Sequence, residues 1–163
     1  MKINRFQLLE GKKDIYEEDI DFSSYPFNDT YVRNIPSCHA KVELTDFGEI
    51  LQAIFHIEAD VTAVCSYSLE DVPLRLKFDD ELEFSNEVEE DDSIVFEASN
   101  IIDLDPHILS LILARIPIKV VKQGAKLPNN GEGYSVLTEE EYEKQKANKK
   151  DSRWDILDSV KLD

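Results

Sequence analysis

Three histidines, two cysteines and two dense runs of carboxylates are the side chains of this 163-residue chain that could do acid–base, nucleophilic or metal chemistry. The acids crowd into "FDDELEF" and "NEVEEDDS". Paired carboxylates can serve as general acid and general base, but only where burial or a neighbour drives their pKa values apart. Asp79, Glu81 and Glu83 fall on the outward phase of an alternating run, and Glu87, Glu89, Glu90, Asp91 and Asp92 fall in a polar loop. The spacing therefore predicts a solvated acidic face. No D-x-[DN]-x-[DN]-G loop is present to take calcium. Cys65 with His39, His56 or His107 would make a nucleophile and its base. Cys65, however, falls on an apolar phase and His56 on the opposite one, and a thiol among aliphatics has a raised pKa and is inert. His107, in the first turn of a helix, reads as a surface or interface imidazole. Two cysteines, Cys38 and Cys65, are too few for a disulfide framework or a thiolate-rich zinc site, and both are expected as small buried hydrophobes. No G-x-S-x-G elbow appears, and "NNGEGYS" has neither the strand–turn–helix setting nor the lysine of a phosphate loop. The expectation is a protein that is not an enzyme, with no catalytic residues, no metal ligands, no cofactor and no small-molecule substrate.

The remaining candidate is the C-terminal "KKDSRWDILDSVKLD", which holds the single tryptophan. Aromatic and arginine side chains dominate binding hot spots, and a tethered segment can fold on its partner. Arg153, Trp154, Asp155 and Leu157, with Lys149 and Lys150 beside them, are the expected partner-binding residues. The competing reading has Trp154 folding back onto the chain's own sheet.

Charge separates the two parts of the chain. Residues 1–120 carry 26 acids and 10 bases, whereas residues 121–163 carry 9 acids and 8 bases. The body should repel nucleic acid and attract basic partners. Direct RNA contact would fall to the tail, where Lys144, Lys146, Lys149, Lys150 and Arg153 cluster. No apolar run of about 18 residues exists to span a membrane, and "MKINRFQLLEGKKD" lacks the apolar segment of a secretory signal. A cytoplasmic location is expected.

The elements that must position these groups are mostly strands. Every odd residue from Leu51 to Tyr67 is apolar, against polar residues at most even positions. Strict period-two alternation marks a half-buried strand. At about 3.3 Å per residue the run is unusually long, so a sharp bend, a bulge or a split is expected. A second run places Val72, Leu74, Leu76, Phe78, Leu82 and Phe84 on one face; Asp80 interrupts it, again suggesting a bulge. "SYSLED" connects the two as a hairpin, and Ala40, Val42 and Leu44 precede them as a third strand, with Gly48 in the intervening turn. "SIVFEA" adds a further strand, and "INRFQLL" and "EEDIDFS" are shorter candidates. The helix signal lies in "DLDPHILSLILARIP", with Asp103 as N-cap, Pro106 in the first turn and an apolar surface nearly all round. Beyond it, Thr138 and Glu141 fit a capping box. The expected fold is α+β: a β-rich antiparallel sheet or partly closed barrel, one buried helix at about 103–116, and a flexible C-terminal tail. The expected domains are a globular body over 1–120, a polar and part-helical linker over 121–150, and a tryptophan-containing binding motif over 151–163.

Three collinear segments resemble the YceD family, the large ribosomal RNA subunit accumulation proteins. "VTAVCSYSLEDV" is similar to the family's C-x-R-C-L-E hairpin at Cys65, Leu69 and Glu70. "IIDLDPHILSLILARIPIKV" resembles its "iDL" helix ending in "lP". "DSRWDILDSV" resembles its closing "DPRW" motif at Asp151, Arg153, Trp154 and Leu157. Ser68 and Tyr67 replace the second hairpin cysteine and the arginine before it, and "KVVKQGAKLPNNGEG" lacks the cysteine-rich, zinc-ribbon-like segment of many relatives, so no metal carries over. The resemblance implies a non-enzymatic role in large-subunit ribosome biogenesis. The expected partner is a ribosomal protein or a large-subunit precursor. An acidic, chaperone-like module for basic proteins unrelated to ribosomes is the alternative, and a hydrolase using surface carboxylates is a third.

Overall fold

A computed structural model of the chain describes residues 1–28, 31–87, 93–129 and 131–148. It divides into two compact units, Met1–Lys122 and Gln123–Asp163.

The first unit is built on the alternation. Strands β3 (Val32–Asp46), β4 (Ile50–Val64) and β5 (Asp71–Ser85), of fifteen residues each, form an antiparallel meander. Strand β2 (Lys13–Ile20) pairs antiparallel with β3, and β6 (Ile94–Phe96) closes the order β2-β3-β4-β5-β6. Strands β1 (Lys2–Asn4) and β7 (Ile101–Asp103) make a separate two-stranded antiparallel sheet leading into helix α1 (Asp105–Arg115). The long sheet is open, with β2 and β6 at its edges. In the second unit, α2 (Glu139–Asn148) begins at a reciprocal capping box: the Glu141 N–H donates to Thr138 Oγ1 at 3.2 Å, and the Thr138 N–H donates to Glu141 Oε2 at 2.9 Å.

The odd positions of β4 are all buried from Leu51 to Ala63, as the period of two requires. With Val42, Leu44 and Phe84 they form the inner face of the sheet, against which Ile108, Leu109 and Ile112 of α1 pack. The outer face carries the polar residues.

Several expectations need correction. Strand β4 runs without a break: its register with β5 holds from Ile50↔Ser85 to Val64↔Asp71. The irregularities lie on β3, between Val32 and Asn34 and between Asn34 and Ser37. Pro36 sits there and cannot donate to the ladder, so β3 absorbs extra residues while β4 stays regular. The distortion leaves Asn34 Oδ1 buried without a hydrogen-bond partner. Asp80 makes no bulge either. It keeps the phase of Phe78 and Leu82 and accepts a hydrogen bond from Arg115 Nη2 of α1 at 2.7 Å, while the Arg115 guanidinium lies 5.2 Å from the Phe78 ring centre. A charge at an apolar position is thus met by a charge from the covering helix. Strand β6 runs parallel to β5 rather than continuing the meander. Helix α1 is capped by Leu104; Asp103 Oδ1 accepts the Asp105 N–H at 3.2 Å from one residue further out. The helix is buried on one stripe only, because the sheet covers a single side of it.

The N-terminal segment is tied to the β3–β4 turn by one side chain. Arg5, 9% exposed, lies in a 3-10 turn (Arg5–Gln7) after β1. Its Nη2 donates to Asp46 Oδ1 at 3.0 Å and to the carbonyls of Gly48 and Glu49 at 2.9 and 3.1 Å. Gly48, at φ +91°, gives the turn the left-handed backbone that brings these acceptors together.

Candidate functional site

The outer face of the long sheet carries a mesh of cross-strand ion pairs. Direct register sets Lys41 opposite His56, His56 opposite Asp79, and Glu58 opposite Lys77. Lys13 and Lys41 hold Glu43 at 2.7 and 3.2 Å. His56 Nδ1 meets Asp79 at 2.6 Å, and Lys77 and Arg75 converge on Glu58. His39 is placed between two acids of β2, with Nδ1 2.7 Å from Asp19 and Nε2 3.2 Å from Glu17.

These partners fix the ionisation of the face. Hydrogen bonds from Lys13 and Lys41 pull the Glu43 carboxyl down to about 2. Hydrogen bonding and charge from Lys77 hold Glu58 below the usual carboxylate range. The hydrogen bond to Asp19 raises His39 above an ordinary imidazole. Every carboxyl among the described residues with a resolved displacement moves downward: Asp21, Glu43, Glu58, Glu70 and Glu141. A general acid at neutral pH needs the opposite displacement. What the face offers is fixed anions in a known geometry, suited to meeting cations.

Where β3 is irregular the mesh opens into a cleft of about 430 Å³, between the end of β2 and the middle of β4. Asp19, Asp21, Glu58 and Asp60 line it, together with His39 and the guanidinium of Arg75. Ser37 donates to Asp60 at 2.8 Å across the cleft.

The second notable group is the turn between β4 and β5. Cys65 has no solvent exposure, yet its Sγ accepts N–H groups from Lys122 at 3.3 Å and from Tyr67 and Ser68 at 3.4 Å. Hydrogen bonding lowers the thiol to about 7, with the Lys122 amide contributing most and the Ser68 side chain next, against the opposing effect of burial. This corrects the expectation of an inert, raised thiol there. Cys38 behaves as expected: burial pushes it to about 11. Ser68 directs its hydroxyl to Glu70 at 2.9 Å, and Lys122 Nζ lies 3.3 Å from the same carboxylate. Leu69 takes a left-handed conformation at φ +59°, which costs of order 1–3 kcal/mol in a residue with a side chain. Thus turn and 119–122 segment are bound together through Cys65.

His107 rests edge-on against Phe84, with ring centres 5.0 Å apart, and burial lowers its pKa. Among the described residues no three His, Cys, Asp or Glu side chains converge as metal ligands, and no helix is long and apolar enough to cross a membrane. Lys144 and Lys146 of the basic cluster lie on α2. Arg153, Trp154, Asp155, Leu157, Lys149 and Lys150 all lie outside the described residues.

The family model described as large ribosomal RNA subunit accumulation protein YceD matches residues 54–161. The match takes in β4 from residue 54 onward, the Cys65 turn, β5 and α1. No curated protein and no solved structure matches the chain.

Proposed function

The chain belongs to the YceD family, whose description ties it to accumulation of the large ribosomal RNA subunit, and on that premise we propose that it is a non-catalytic ribosome biogenesis factor. It acts by binding a ribosomal protein or a large-subunit precursor in the cytoplasm. The observation that carries this reading is the outer face of the long sheet: an array of carboxylates held ionised by cross-strand partners. Such a face complements a basic protein surface and repels bare phosphate backbone. Among the described residues the carboxyls on this face with a resolved displacement move downward, away from what a general acid requires. The tail supplies the second contact, with Arg153 and Trp154 as anchor, Asp155 and Leu157 flanking them, and Lys149 and Lys150 available to phosphate.

The test is Trp154→Ala. Thermal unfolding should be unchanged, and co-sedimentation with large-subunit precursors should weaken by about tenfold, as for loss of an aromatic hot spot. A large fall in melting temperature with undiminished co-sedimentation would assign the tryptophan to the chain's own core.

A further inference from the structure

Sheet edges in native proteins are blunted by shortness, proline, bulges or a covering segment, because their free main-chain groups pair with any strand that arrives. Strand β6 is three residues long, as are β1 and β7. Strand β2 has none of these four; its protection is charge, with Asp14 and Glu18 on the core-facing phase and Lys13, Glu17 and Asp19 on the outer one. It runs for eight residues without proline, keeps register with β3 at every position, and has no strand on its other side among the described residues. Five of its eight residues are exposed. Asp14, Glu17, Glu18 and Asp19 stand against Lys13, and Asp21 follows the strand.

The alternation sorts this edge into two faces. Glu17 and Asp19 lie on the outer face beside Ile15, which is 57% exposed; Tyr16 and Ile20 lie on the inner face against the core, with Asp14 and Glu18 on the same phase and Glu18 Oε2 3.4 Å from the Met1 amino group. At the strand's end Asp19 and Asp21 open into the acidic cleft.

We propose that the β2 edge takes up a basic, extended segment of a partner protein by strand addition. Main-chain hydrogen bonds to β2 supply the affinity, and alternate side chains supply the selection. Lysines or arginines of the incoming strand face Glu17 and Asp19, and of its intervening residues the apolar ones continue the inner face beside Tyr16 and Ile20, with Glu18 between them open to a further cation. A cationic side chain beyond the strand's end lies in the cleft. The charge that admits such a segment works against neutral strands and against a second copy, whose β2 carries the same four acids. This inference rests on the proposed role as a docking factor for a basic ribosomal partner and names the surface and the chemistry of the contact.

The probe is a peptide alternating lysine and valine, long enough to span β2, titrated into the full-length protein. Binding should slow amide hydrogen exchange selectively within residues 13–20. The double variant Glu17→Lys/Asp19→Lys should weaken it by about tenfold or more, whereas Glu81→Lys/Glu83→Lys, an equal charge change elsewhere on the sheet, should weaken it less. A peptide of the same sequence N-methylated at two adjacent central residues keeps its charge but cannot pair as a strand, and should also lose about tenfold or more. Equal binding of the methylated peptide, equal effects of the two variants, or protection away from β2 would each overturn the inference. So would tighter binding of a single-stranded RNA, or a dimer formed through β2. If the protein co-sediments with large-subunit precursors but ignores the peptide, the edge is excluded and the docking role stands; if it does neither, both fall.

Discussion

Cys38 and Cys65 are both out of contact with solvent, yet their thiols are set in opposite directions. Around Cys38, burial first and then the negative charges of Asp105 and Asp19 raise the thiol to about 11. Around Cys65 three amide N–H groups point at the sulfur and, with the Ser68 side chain, favour the thiolate, lowering it to about 7. Thiolate absorbance against pH should therefore resolve two steps, the lower removed by Cys65→Ala and the upper by Cys38→Ala. A single step near the ordinary thiol value would contradict the N–H···S geometry. The sign for stability follows. Since the folded state favours the Cys65 thiolate, its contribution is present above about 9 and is lost as pH falls through about 7. None of this is legible in the sequence, because the strongest donor, the Lys122 amide, lies 57 residues away along the chain. The phase of Cys65 within the strand gave its burial correctly but said nothing of what would face the sulfur.

Among the elements, the long strands were readable because each has one wet face and one dry face. The odd residues of β4 and the even residues of β5 announce their sides without tertiary knowledge. The first half of β3 was not readable, since Pro36 and two register shifts erase the alternation there. Strand β6 was readable in "SIVFEA", though not its parallel pairing with β5, and β1 only in part; β7 was not, since its three residues owe their conformation to a partner remote in sequence. Asp80 misled for a different reason. A charge on an apolar phase looks like a slip of register until Arg115 from α1 is placed over it. Arg5 shows the same dependence on distant partners, since its acceptors come from the β3–β4 turn. Removing the buried Arg5 side chain deletes its packing together with its charge-assisted bonds to Asp46 and to the Gly48 and Glu49 carbonyls. Arg5→Ala should therefore cost about 3 kcal/mol, read as a lowered denaturant midpoint with unchanged slope. A change within about 0.5 kcal/mol, the range of an ordinary surface substitution, would mean the clamp adds nothing to the hairpin.

At the scale of the whole molecule, charge is divided along the chain. The acids collect in residues 1–120, and the tail brings nearly balanced charge and the single tryptophan. The composition made this division plain, and cross-strand pairs account in part for how so acidic a sheet holds its face: Glu43, Glu58, Asp19 and Asp79 each meet a lysine, arginine or histidine of the neighbouring strand. The proposed docking function uses both parts, the face for a basic protein and the tail for an anchored contact. It is tested most directly by capture from lysate with the full-length protein and with a chain lacking residues 144–163, followed by identification of what is retained. Large-subunit ribosomal proteins or precursor RNA should be recovered with the full chain and fall sharply with the shortened one. Their absence from both would contradict the proposed role.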